Sequence, residues 1–165
     1  GRTTRHQALN DVISRAFASA GIPAMKEPTG LSRSDGRRPD GMSLIPWRNG
    51  KALTWDVTVA TTLADSYVNA TASCAGAAAE SAANRKLMKY ADLPASYIFQ
   101  PIAIETLGPM NDSAVDFFCE LGRRIVNNSN VDPETAFLFQ RLSITLQRFN
   151  AILLHEIIII IIIYV

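Results

Sequence analysis

Cysteine is scarce in these 165 residues: Cys74 and Cys119 are the only two, far apart and without metal-ligand spacing. That excludes a disulfide framework and leaves, as the plain expectation, two free, buried thiols in a reducing compartment. Charge of one sign is lacking as well. The formal net charge is +1, so no strong overall field draws the chain to nucleic acid, and any basic surface must be local. A membrane span needs about 20 consecutive apolar residues. The most apolar stretch, at the C-terminus, is interrupted by His155 and Glu156, so no membrane partner is expected. There is no internal repeat. The chain begins at Gly1 with no Met and no signal peptide, as expected of a piece of a longer polypeptide.

What is present suits one globular domain: 48% of residues are hydrophobic and 19% charged, too apolar a balance for disorder. Leu9, Val12, Ile13, Ala16, Phe17 and Ala20 follow helical spacing and predict an amphipathic helix stopped by Gly21 and Pro23. After a loop rich in Gly, Pro and Ser, Pro39 to Pro46 reads as a short strand. Arg48-Asn49-Gly50-Lys51 is a hairpin turn, and Leu53 to Val59 a second strand with Thr54, Asp56 and Thr58 on its polar face. The proline-free, alanine-rich segment from Ser73 to Ala91 predicts one helix. Tyr97 to Glu105 predicts a strand that Pro101 confines to an edge or a bulge. Asp112 is expected to cap a helix to Val126, and Asp132-Pro133 to open a last helix with Leu138, Leu142, Leu146, Phe149 and Leu153 on its stripe. The predicted order is α-β-β-α-β-α-α. Residues 1–156 form the domain. The seven isoleucines from Ile157 to Ile163, which a simple AT-rich triplet repeat would encode, begin a low-complexity tail, residues 157–165, that runs past the fold and invites aggregation.

One polar constellation stands out. Asp40 opens the first predicted strand and Asp56 lies in the middle of the second, among Trp, Val and Thr. A carboxylate in so apolar a run is costly unless it is paired or bound to metal. Two of them brought together by a hairpin can hold a hard divalent cation and serve phosphodiester hydrolysis. Converging carboxylates repel, so neutralising Asp56 is expected to raise stability in the absence of metal. On the following helix Gly76, Ala79, Ala83, Lys86 and Tyr90 share one face. The small residues allow close approach to a sheet. Lys86 can then offset phosphate charge or orient water, and the Tyr90 hydroxyl can bond a phosphate oxygen. Arg33, Arg37, Arg38, Arg48 and Lys51 form a local basic cluster around the first strand. Each feature alone also suits a plainer role: Asp40 capping a turn with Gly41, Asp56 pairing with an arginine, Lys86 and Lys89 as solvated helix charges, the arginines as a solvated loop.

Arg38-Pro39-Asp40-Gly41, Trp55-Asp56-Val57-Thr58-Val59 and Lys86-Leu87-Met88-Lys89-Tyr90, in that order, resemble the restriction-like endonuclease domain that follows reverse transcriptase in site-specific non-LTR retrotransposons. The likeness extends over most of residues 5–155, including Ala75 to Ala79, Phe99 to Gly108 and Phe137 to Asn150. It implies an α/β fold of the PD-(D/E)XK type, a central mixed sheet flanked by helices, and Mg²⁺- or Mn²⁺-dependent nicking of target DNA in the nucleus. It also implies a reverse transcriptase domain of the same polyprotein as partner.

By the same resemblance Asp40 and Asp56 are the metal-binding acids. The family's usual lysine two residues after the second acid is replaced by Thr58. In retrotransposon members that lysine comes from the next helix, which points to Lys86 or Lys89, with Tyr90 beside them; Lys86 is favoured as the one stacked over Tyr90. Glu105 is a peripheral-ligand candidate or, more simply, a carboxylate turned to a helix or the rim. Many relatives carry a zinc knuckle ahead of the nuclease; here only His6 remains of any such set, so no zinc site can be closed, and His6 reads as an N-terminal helix polar residue. The alternative function is a catalytically decayed copy that binds DNA or docks other parts of the polyprotein.

Overall fold

The structure, a computed structural model, describes residues 2–31, 36 and 38–164, with side chains for those between 3 and 155. Helix α1 (Arg2–Ser19) buries Leu9, Val12, Ile13, Ala16 and Phe17 along one stripe. It ends as expected: Gly21 takes φ +69°, its N–H bonds Ala18 O and that of Ile22 bonds Phe17 O, the paired closure of a Schellman motif. Strands β1 (Ala24–Lys26), β2 (Gly41–Ser43), β3 (Ala52–Ala60) and β4 (Tyr97–Glu105) form one sheet in the order β1-β2-β3-β4. The first two pairings are antiparallel and β3–β4 is parallel. Asn49 and Gly50 both have positive φ (+51° and +72°), so the predicted turn is of the I′ type that matches strand twist. β4 lies at the sheet edge, where Pro101, opposite Asp56 in register, removes no ladder donor that an outer strand would need.

The fold is thus mixed α/β, a four-stranded mixed sheet flanked by helices. Helix α3 (Ala77–Lys89) covers one face. It lies close because Ala78, Ala79, Ala82 and Ala83 meet Ala60 and Ala103 of the strands. Helices α1 and α4 (Asp112–Ser129) cover the other face, with α5 (Glu134–Tyr164) packed against both. There Trp55, Phe17, Phe118, Leu121, Leu138 and Leu142 build the main core. Among the described residues, no helix is long and apolar enough to cross a membrane.

Several elements differ from the expected order. β1 lies in what reads as a loop; a three-residue, half-exposed strand carries no alternation to detect. The strand expected over residues 39–46 shrinks to Gly41–Ser43, which leaves Asp40 just before it. The helix expected over residues 73–91 is α3, which begins only at Ala77 because Gly76 turns to φ +90°, and a short helix not expected from the sequence, α2 (Val68–Ser73), precedes it. Asn111, not Asp112, is the N-cap residue of α4. It stays extended because its side chain and N–H are bonded to Ala103 on the outer side of β4. Both cysteines are free as expected, but Cys74 is exposed and Cys119 half-buried, so the buried pair is corrected.

The isoleucine run continues α5 without a break in the backbone. Adding residues to an existing helix avoids the cost of nucleation, which outweighs the modest propensity deficit of isoleucine. Among the α5 residues whose side chains are described, the buried positions are Leu138, Leu142 and Leu146, with Phe149 and Leu153 only partly covered. Deleting residues 157–165 is therefore expected to leave thermal unfolding unchanged and to lower aggregation in light scattering. Loss of cooperative unfolding would show that the tail belongs to the core.

Candidate functional site

The site forms where β2 stops short and β3 runs on. Up to Trp55 the outer backbone groups of β3 are paired: Gly41 faces Trp55, and Asp40 N–H bonds Trp55 O at 2.9 Å. Beyond that point side chains replace the missing strand. The Asp40 carboxylate accepts the Val57 N–H at 2.6 Å, and His6 Nε2 lies 3.1 Å from Val57 O. The same ring nitrogen is 2.9 Å from Asp40 Oδ2. Asp40 is therefore held beside the edge of β3 by main-chain groups, not displayed from the middle of a strand.

Asp56 points to the α3 side, with its side chain only 5% exposed. Lys86 Nζ lies 2.5 Å from Oδ1, Tyr90 Oη 2.6 Å from Oδ2, and Lys89 Nζ 3.6 Å from Oδ2. The Tyr90 hydroxyl is also 2.9 Å from the Arg38 carbonyl. Its single proton serves one acceptor at a time, and an ionised carboxylate is the stronger. The ring over which an ammonium lies is approached by Lys89, at 4.4 Å from the centroid, so the stacking expected of Lys86 is corrected. Lys86 has the closer approach to the carboxylate instead. Asp56 sits among cations, so the repulsion expected between two bare carboxylates does not govern it. Neutralising Asp56 would strand a half-buried ammonium and is therefore expected to destabilise the fold.

Asp40, Asp56, Lys86, Lys89, Arg38, Glu27 and His6 line one open cleft of about 420 Å³. Arg38, Lys86 and Lys89 bring three fixed cations to it, against three carboxylates, with Arg38 paired to Glu27. Of the sequence-predicted set, Asp40, Asp56, Lys86 and Lys89 line the cleft, and Tyr90 lies behind them, buried. The basic cluster does not form one patch: Arg38 is at the cleft, whereas Arg48 lines a larger pocket, about 670 Å³, on the face covered by α4. Arg33 and Arg37 lie outside the described residues. Glu105 does not reach the cleft. It is 1% exposed and its Oε1 accepts the N–H groups of Ala78 and Ala79, so it caps the start of α3.

Sequence reasoning missed His6 and Asn10. Both stand one turn apart on α1, in line with Ile13 and Phe17 of the buried stripe. Two polar residues extending an apolar stripe were the available signal. Asn10 is 6% exposed; its Nδ2 donates to Asp40 O at 3.1 Å and its Oδ1 accepts the Trp55 indole N–H at 2.8 Å.

The hydrogen bond to Asp40 raises the His6 pKa above 6.5, and the charges of Asp40 and Asp56 add to this, while burial opposes it. A raised folded-state pKa contributes stability that is complete below the unfolded value of 6.5 and is lost as pH rises through the folded value. In metal-free protein the melting temperature is accordingly expected to fall as pH rises above 6.5. His6→Gln should flatten that slope; an unchanged slope in the variant would assign the dependence to other groups.

No family model matches the chain, and neither does any curated protein.

Proposed function

We propose that this chain is a metal-dependent DNA endonuclease domain of the restriction-like, PD-(D/E)XK kind, which nicks target DNA for the reverse transcriptase domain of the same polyprotein. The observation that carries the reading is the meeting of Asp40, Asp56, Lys86 and Lys89 at one cleft, although up to 49 positions separate them in sequence. Tyr90 bonds the same Asp56 from behind.

The donor chemistry suits Mg²⁺ or Mn²⁺. Mg²⁺ binds through one or two carboxylates and completes its shell with water and phosphate oxygens. Asp40 and Asp56 supply that number, and among the described residues no group of three or more His, Cys, Asp or Glu side chains could hold a metal, as a closed zinc site requires. A divalent ion there supplies Lewis-acid stabilisation of the phosphoryl charge and a more acidic attacking water.

The chain's own groups do the rest. Lys86, 24% exposed, presents a fixed positive charge beside Asp56 in the open cleft, where a scissile phosphate would meet it. Lys89 donates to Tyr90 Oη at 2.9 Å, which braces the tyrosine against Asp56. Arg38 at the rim adds a contact for the DNA backbone.

One observation favours the second reading, a decayed copy that only binds DNA or docks other polyprotein parts. Both oxygens of Asp56 are already engaged by Lys86 and Tyr90, which also describes a purely structural ion pair. Nicking of supercoiled plasmid with Mg²⁺ or Mn²⁺, with and without chelator, decides between the two. Chelator-sensitive nicking supports the enzyme; DNA binding without cleavage under either metal supports the relic.

A further inference from the structure

Asp40 is gripped from α1 at two points. His6 Nε2 faces two acceptors, Asp40 Oδ2 at 2.9 Å and Val57 O at 3.1 Å. A ring nitrogen between two acceptors carries the proton and donates, so this nitrogen has no lone pair to offer a metal. The Val57 N–H donates to the same Oδ2 at 2.6 Å. One turn further along α1, Asn10 donates to the Asp40 carbonyl and is itself fixed by the indole of Trp55, a residue with no exposure at all. Oδ2 is thus saturated by two donors, while among the described residues no hydrogen bond engages Oδ1.

We infer that α1 is the positioning element of the site: His6, braced on the Val57 carbonyl, and Asn10 hold Asp40 so that Oδ1 is the oxygen offered to a divalent cation. This rests on the nuclease reading above and extends it to two residues outside the Asp/Asp/Lys set. A surface aspartate rotates freely and must be ordered at the moment of binding. Here two hydrogen bonds to one oxygen and one to its own carbonyl fix the carboxylate beforehand, as partners of ligating groups do elsewhere. His6 acts through Asp40 and is a positioning residue, not a ligand.

The test is Mn²⁺ titration without DNA, by calorimetry and by the electron paramagnetic resonance signal of free Mn²⁺, for wild type, His6→Ala, His6→Gln and Asp40→Asn, with melting temperatures recorded alongside. Loss of such a partner weakens metal binding by about 10-fold or more. The expected result is that loss in His6→Ala, most of it recovered in His6→Gln, whose amide N–H can still donate to Asp40, while both variants unfold cooperatively. Equal or tighter Mn²⁺ binding in His6→Ala overturns the inference and leaves the Asp40–Asp56 reading standing. So does a loss that His6→Gln does not rescue, or one that comes with loss of cooperative unfolding, since either marks a merely structural role. A wild type that binds no Mn²⁺, or an Asp40→Asn variant that binds it as well as wild type, overturns the nuclease reading and this inference together.

Discussion

If the proposed endonuclease is active, Asp56→Asn is expected to reduce Mg²⁺-dependent nicking on the order of 10³-fold or more, because it removes one of the two carboxylates proposed to hold the ion. DNA affinity, measured by fluorescence anisotropy at fixed salt, should hardly change, since the carboxylate serves the cation and not the phosphate backbone. The same variant should melt at a lower temperature. Lys86 and Tyr90 both bond this side chain, and removing the acceptor of a buried bond costs about 1–3 kcal/mol. A rise in melting temperature would mean that carboxylate repulsion, not the ion pair, dominates at this position. Lys86→Ala should also abolish nicking, for a different reason: its charge is needed in the transition state. Mn²⁺ affinity should not fall in that variant, because the ammonium 2.5 Å from Asp56 Oδ1 competes with a cation for the same oxygen. Lys89→Ala should be milder, since Lys89 Nζ stands 3.6 Å from Oδ2. If Lys89→Ala destroys cleavage and Lys86→Ala does not, the two lysines exchange roles and the enzyme survives as a reading. If wild type and variants are equally inert with both metals, the copy is a relic.

Gly41→Ala is expected to have the largest effect on stability for a single added methyl group. A Cβ at this position would lie 2.0 Å from Trp55 Cζ2 and 2.3 Å from Cε2. The indole cannot yield. It has no exposure, stacks on Phe17 at 4.7 Å between centroids, and donates its N–H to Asn10. Overpacking of this kind costs about 3 kcal/mol, which for a chain of this size corresponds to a fall of roughly 6–12 °C in melting temperature. The damage also reaches the site, because Asp40 precedes Gly41 and shares the Asn10 clamp. Mn²⁺ binding should therefore weaken in Gly41→Ala even where the protein is still folded. A melting temperature within about 2 °C of wild type, at a sensitivity of roughly 2–4 °C per kcal/mol, would show that β2 shifts freely over Trp55 and that glycine is not required there.

Much of the framework was legible because local chemistry decided it. The stripe from Leu9 to Phe17 had one way to bury itself, Asn49-Gly50 could adopt the positive φ angles of a tight hairpin, and the alternation from Leu53 to Val59 left Asp56 on the polar face. The alanines of α3 announced a close approach to the sheet, and they make it. The pairing of Asp56 was anticipated in kind but not in partner, lysine and tyrosine in place of arginine. The break at Gly76 and the strand at Ala24–Lys26 were not legible. Each depends on a partner far along the chain: Glu105 capping the start of α3, and β2 accepting three residues of edge pairing.

The sequence by itself singled out the candidate residues: two acids in apolar surroundings, and lysines and a tyrosine on a helix face made of small residues. Periodicity and residue type are local properties, and they survive without knowledge of the fold. Only the tertiary structure decided how those groups are held. β2 stops at Gly41, which lies against Trp55, and beyond it the N–H and C=O of Val57 have no strand partner on that side. Buried main-chain groups must be bonded, and here the Asp40 carboxylate and the His6 imidazole do it, which fixes both at the cleft. His6 is 51 positions from Val57 and 34 from Asp40, so no pattern within its own helix could assign it that place.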